Sequence, residues 1–183
     1  MGDDFMMVNT HRIVGEFLYE ELPKELQSLL IHRKFVFGNV KPDLKKEYRR
    51  FSHYYRDNSV VIFKWLDLLL QKDYEIEEFS EKIGILLHFF CDYTCIYHAN
   101  DFIHESHSIR KHLQYEGKLH VYASRKIKNY KNAIMVIPFQ STQEIYDYVK
   151  QLTDELNQEP AILCIEKDFE NMMRLSMSIL LYI

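Results

Sequence analysis

The sequence predicts an all-α protein, a compact multi-helix bundle. Three observations carry this. Only 5 Gly and 4 Pro occur in 183 residues, 47% of the residues are hydrophobic and 14% aromatic, and apolar positions recur at helical intervals along most of the chain. So few turn formers are poor material for a sandwich or barrel of many short strands, and so apolar a chain can bury a core. The length suits one domain spanning residues 1–183.

The elements follow in order. Thr10 is a capping residue, and Ile13, Val14, Phe17 and Leu18 recur at helical spacing until Leu22-Pro23, which gives a first helix with His11 in its opening turn. Residues 24–33 read as a second, short helix. From Gly38 to Arg56 the chain holds Pro42, many charges and no clean period, so an extended loop is expected. Ser59 can cap a helix to Leu70, with Ile62, Leu66 and Leu69 on one face and Trp65 beside them. The segment 76–98 is apolar nearly all round, with Phe79, Ile83, Leu86, Leu87 and Phe90 at helical intervals, and predicts a central buried helix. Residues 102–120 read as the next helix. Ser141 with Glu144 forms a capping box for another, striped by Ile145, Tyr148, Val149 and Leu152, and Pro160 can open the last. Ala133 to Ile137 fits a short strand and a buried loop equally well. The apolar run Leu175 to Ile183 belongs in the core rather than in a dimer.

Charge and cysteine content exclude several functions. With 23 basic and 27 acidic side chains the net charge is −4, so no general electrostatic hold on nucleic acid or anionic lipid exists and no stable nucleic-acid complex is expected. Three cysteines are an odd number, and Cys91 and Cys95 lie in one apolar run, the habit of reduced thiols. The first ten residues contain no apolar stretch of signal-peptide length, and no apolar run reaches the length of a membrane span. A cytoplasmic protein without a transmembrane segment is expected.

The chemistry is concentrated in His88-Phe-Phe-Cys-Asp92, then His98, then His112-Leu-Gln-Tyr-Glu116. On a helix each pair is an i,i+4 pair, so both side chains leave the same face and can reach one ion. Imidazole nitrogen and carboxylate oxygen are ligands that zinc accepts. A single HxxxE on a surface helix is more often a solvated ion pair. His88 and Asp92, however, sit in the most apolar segment, where a carboxylate needs a partner, a proton or a metal. Cys91 and Cys95 read as buried small hydrophobes. Lys41, Lys45, Lys46, Arg49 and Arg50 read as a solvated face, and His32, His104, His107 and His120 as surface histidines, with His104 and His107 also able to line a cleft.

The order and spacing of His11, Asp43, His53, His88, Asp92, His98, His112 and Glu116 resemble the bacterial zinc-dependent phospholipase C family, whose fold is shared by the P1/S1 nucleases. HxxxD, a histidine six residues on, and an HxxxE fourteen beyond that histidine are the specific part, and the resemblance covers roughly residues 8–120. It implies a metal cluster of two or three Zn2+ ions at the bottom of a cleft in the bundle. Asp43, His53, His88 and Asp92 would hold one ion, His98, His112 and Glu116 a second, and His11 with a bridging Asp92 a third. It implies hydrolysis of a phosphodiester, with metal-activated water as nucleophile, Asp43 as candidate general base and a phospholipid among the substrates.

The chain departs from the family pattern in three places. The family completes its third site with an N-terminal tryptophan, where this chain offers Asp3, Asp4 or water. The interval between Asp43 and His53 is shortened. Leu44 and Arg50 stand where the best-known members place aromatic residues around choline, so no choline preference is expected. A single-strand nuclease or 3'-nucleotidase of the related fold, and a non-catalytic metal-binding helical protein, are the alternative readings.

Overall fold

A computed structural model describes residues 4–48, 50–106, 108–131, 133–158 and 162–183, with side chains from residue 8 onwards. Asp3, the Asp4 side chain, Arg49, His107 and Pro160, which figure in the expectations above, lie outside the described residues. The described residues form ten α-helices and no strand: α1 (Asp4–Glu21), α2 (Lys24–Gln27), α3 (His32–Leu44), α4 (Tyr55–Gln71), α5 (Ile76–Tyr93), α6 (Ile96–Ala99), α7 (Asp101–Ser106), α8 (Ile109–Lys126), α9 (Thr142–Leu156) and α10 (Ile165–Tyr182). The all-α bundle is as expected. Among the described residues no helix is long and apolar enough to cross a membrane.

The centre is α5, buried without interruption from Ile83 to Tyr93. It packs on α3, α4 and α10 and touches α1, so the most apolar helix of the sequence becomes the hub that its pattern requires. The run Leu175, Met177, Ile179 and Leu180 of α10 is buried in the same core. Ser141 caps α9, its hydroxyl accepting from the Glu144 N–H at 3.2 Å while the Glu144 carboxylate accepts from the Gln140 N–H at 2.9 Å.

Helix α3 packs directly on α5, and two glycines permit it. A Cβ on Gly84 would lie 2.3 Å from the Phe35 carbonyl oxygen, and one on Gly38 would lie 2.3 Å from the Glu81 carbonyl oxygen. The two backbones therefore touch, at a separation that no side chain tolerates. This crossing lets the Asn39 carbonyl accept from His88 Nδ1 at 2.9 Å and brings Asp43, one turn further along α3, towards the same histidine.

Several boundaries differ from the sequence reading. The expected loop from Gly38 is helix as far as Leu44, with Pro42 inside it. Burial of Phe35, Gly38, Asn39 and Val40 against α1 and α5 outweighs the hydrogen bond that Pro42 cannot donate. Helix α4 begins at Tyr55 rather than at Ser59, which is buried within it. The expected helix over 102–120 is two helices, α7 and α8, and the last helix begins at Ile165. Ala133 to Ile137 is neither strand nor buried loop: no described strand offers it a partner, and Met135 is 69% exposed.

The most consequential difference is in the expected helix over 76–98, which breaks after Tyr93. Thr94 Oγ1 donates to the Cys91 carbonyl at 2.7 Å, Cys95 is extended, and α6 restarts at Ile96. On an unbroken helix His98 would sit about 120° around the axis from Asp92 and about 9 Å along it. The break instead brings His98 Nε2 to 4.0 Å from Asp92 Oδ1.

The crossing makes a graded prediction. Gly84→Ala should lower the unfolding free energy by about 2–3 kcal/mol in urea denaturation, because rigid backbone has to move. Gly15→Ala, whose Cβ would meet the Asn39 side chain at 3.0 Å, should cost less, since a side chain can turn away. Equal costs would show that the α3–α5 backbone contact is not tight.

Candidate metal centre

Asp92 is 4% exposed, and three histidines from three parts of the chain converge on it. His53 Nδ1, from the segment between α3 and α4, lies 2.7 Å from Oδ2, and His88 Nε2, one turn earlier on α5, lies 3.4 Å from the same oxygen. His11 Nε2 from α1 lies 3.1 Å from Oδ1. Asp43 Oδ1, in the last turn of α3, is 3.6 Å from His88 Nε2 and 3.9 Å from His53 Nδ1. A second group stands beside these: His112 Nε2 and His98 Nε2 lie 2.8 and 3.2 Å from Glu116 Oε1 and 3.3 Å from each other.

All eight residues singled out from the sequence therefore come together. Their ligand-type atoms form three groups, each within 4.8 Å: His11, His88 and Asp92; Asp43, His53 and His88; and His98, His112 and Glu116. His88 thus belongs to both of the first two groups. The i,i+4 spacing works as expected in both helices, and the break before α6 supplies His98. His53, whose side chain is 20% exposed, is the most open of the eight, so solvent meets the cluster on that side.

Burial disfavours charge on Asp92, yet the surrounding His88, His11 and His98 overcome it and hold the carboxyl well below the usual carboxylate range. Burial opposes protonation of His11 and His53 too, and the Asp92 carboxylate overcomes it, raising both above the ordinary value of 6.5. His88, buried and flanked by His11, is driven well below it. Asp43 is pushed up to about 6 by burial, against the pull of His11. Burial would also raise Glu116, but hydrogen bonds from His112 and His98 lower it to about 2.

These donors fit a borderline divalent cation. Imidazole nitrogens face one another at 3.3 Å between His98 and His112 and at 3.2 Å between His53 and His88, a poor arrangement for rings without a proton or ion between them. Asp43 Oδ2 and Glu116 Oε2 are buried without a hydrogen-bond partner among the described residues. The Asn39 carbonyl fixes the His88 ring with Nε2 turned to the cluster, as the outer partner of a ligating histidine does.

Cys91 and Cys95 are buried beside a cavity of about 20 Å³, room for one water, that also touches His11 and Asp92. Neither thiol enters the three groups of described residues. Of the nearby basic residues, Lys41 pairs with Glu81 at 2.7 Å and Arg50 lies over the Phe51 ring. His104 packs its ring on Tyr54 at 3.6 Å, and the Tyr54 ring lies 5.4 Å from that of His98, so both stand at the cluster. Asn39 was not legible in the sequence. It acts through a backbone carbonyl, which any residue carries, whereas Tyr54 is one of the aromatics, with Phe51 and Tyr55, that surround His53 in the sequence.

A family model described as zinc dependent phospholipase C matches residues 10–171 of the chain, reaching well beyond the block that carries the motifs. No curated protein and no solved structure matches it significantly.

The raised histidines fix the sign of a pH effect in metal-free protein. Above pH 6.5 the folded chain keeps protons on His11 and His53 that the unfolded chain has released, so stability falls as pH rises through their folded values. Thermal unfolding of chelator-treated protein should therefore show a midpoint that drops from pH 6.5 upward. A midpoint that climbs would mean that both rings are neutral.

Proposed function

The chain belongs to the zinc-dependent phospholipase C family, and from that premise we propose that it hydrolyses a phosphodiester at a cluster of two or three zinc ions. The single observation that carries this reading is the convergence of four histidines and three carboxylates, buried or nearly so, around Asp92 and His98, with His53 at the open side. We assign Asp43, His53, His88 and Asp92 to one ion, His98, His112 and Glu116 to a second, and His11 with the far oxygen of Asp92 to a third.

Bound zinc supplies charge neutralisation for the non-bridging phosphate oxygens and a water acidified towards neutrality. The protein's own residues do the rest. Asp92 turns Oδ2 to His53 and His88 and Oδ1 to His11, so its carboxylate would be shared between two ions. Asp43 keeps Oδ2 without a partner among the described residues, which leaves that oxygen free to accept the proton of the attacking water. Tyr54, half-buried beside His53, closes one side of the site.

The family match favours a phospholipid or a soluble analogue over a nucleic acid as substrate. Tyr54, Phe51 and Tyr55 are partly exposed and pack on His104, Trp65 and Tyr93, the last two edge-on, so stacking on a base is tested by the assay on single-stranded nucleic acid below. Three free thiols, two of them buried, suit a reducing compartment such as the cytoplasm.

Elemental analysis after dialysis against chelator-free buffer should find two or three zinc ions per chain, and chelation should abolish cleavage of a phosphodiester lipid analogue. Cleavage confined to single-stranded nucleic acid would transfer the assignment to the nuclease reading, and a zinc-free chain would transfer it to a non-catalytic role. His88→Ala should lose metal and about 3–5 kcal/mol of stability together, since it leaves Asp92 short of compensation. Asp43→Asn should lower kcat by about 10²–10⁴-fold.

A further inference from the structure

The two ends of the cluster are held differently. The His88 ring is fixed from behind by the Asn39 carbonyl, although Asp43 Oδ2 at the same end has no partner, whereas at the other end both His98 Nδ1 and Glu116 Oε2 are buried without a hydrogen-bond partner among the described residues. The aim of His98 and Glu116 is therefore set by the backbone that carries them. For His98 that backbone is α6, four residues long, and one helical turn has little stability of its own. Its N-cap residue, Cys95, makes no side-chain capping bond.

The missing cap comes from α10. Asp168, 1% exposed, lies in the first turn of that helix, and its Oδ2 accepts from the Ile96 N–H, at the start of α6, at 3.0 Å. The same oxygen accepts from the Tyr115 hydroxyl on α8 at 2.8 Å. Burial pushes the carboxyl up to about 6, with the Ile96 N–H, the Tyr115 hydroxyl and the Cys95 thiol pulling it back. His98 follows Ile96 by two residues, and Glu116 follows Tyr115 directly. Between the two anchors Tyr97 stacks on the His112 ring at 5.0 Å and 17° and packs on Tyr115 at 4.9 Å. One carboxylate oxygen thus ties the short helix that carries His98 to the helix that carries His112 and Glu116.

We propose that Asp168 is the positioning residue of the His98–His112–Glu116 ion site, setting the separation of α6 and α8 at which those three side chains can share an ion. The proposal rests on the zinc reading above. It assigns Asp168 no contact with metal or substrate. Its consequence is selective: losing the tie should weaken this ion and leave the site built on Asp43, His53, His88 and Asp92 intact.

The test compares zinc stoichiometry and affinity, by competition with a chromophoric chelator, and the absorption of cobalt-substituted protein. Asp168→Ala should hold one ion fewer, or bind its weakest ion about 10–100-fold less tightly, while the cobalt bands of the remaining site persist. Tyr115→Phe deletes a single hydroxyl and keeps the ring, so it tests the tie without threatening the fold; it should weaken the same ion, with the melting of metal-free protein near that of wild type. Asp168→Asn should restore the ion, because a carboxamide oxygen still accepts from both donors. Equal weakening of every ion, or unchanged binding in both Asp168→Ala and Tyr115→Phe against a loaded wild type, would overturn the positioning role alone. A wild type without zinc would overturn the functional reading and this proposal with it.

Discussion

The burial of Asp92 is the constraint around which the rest of the protein is arranged. A carboxylate at 4% exposure in the most apolar helix cannot stay ionised unless opposite charge reaches it, and an uncompensated buried charge costs several kcal/mol. Charge compensation comes from two places far from it in sequence, His11 on α1 and His53 before α4, while His88 stands beside it one turn earlier on α5. Each must arrive within about a hydrogen-bond length, so the packing of α1, α3 and the following segment on α5 is fixed to that tolerance. Structural and chemical requirements fall on one residue.

Two local devices make that arrangement reachable. The Gly38–Gly84 contact lets α3 lie directly on the backbone of α5, which puts the Asn39 carbonyl behind His88 and turns Asp43 inward. Any side chain at either position would hold the helices apart and shift the carboxylate away from the histidines. The second device is the break at Thr94 and Cys95. It redirects a chain that would otherwise carry His98 away from the cluster, and its cost falls on a very short helix whose first N–H is satisfied by Asp168.

The cluster is consequently asymmetric. Its first half is stiff: a backbone carbonyl locks one ring, and the flanking helices are long and tightly apposed. Its second half depends on a single-turn helix and on contacts from α10. The family match runs to residue 171 and so includes Asp168.

The sequence by itself determined the class of the fold and pointed to the residues that the fold brings together. Helical periodicity and sparse glycine are local statistics, and they survived into ten helices without a described strand. The i,i+4 pairs His88 with Asp92 and His112 with Glu116 were legible because helix geometry alone puts both members on one face. Where helices begin and end was not legible. Pro42 argued for a loop that burial against α1 and α5 overruled, and the apolar run through 98 gave no hint of the break that aims His98. Equally hidden was the support behind the ligands: the Asn39 carbonyl has no residue signature, and Asp168 stands 70 residues from His98. Those contacts are decided by which helices touch, and only the tertiary structure brings residues so remote in sequence to a common distance of about 3 Å.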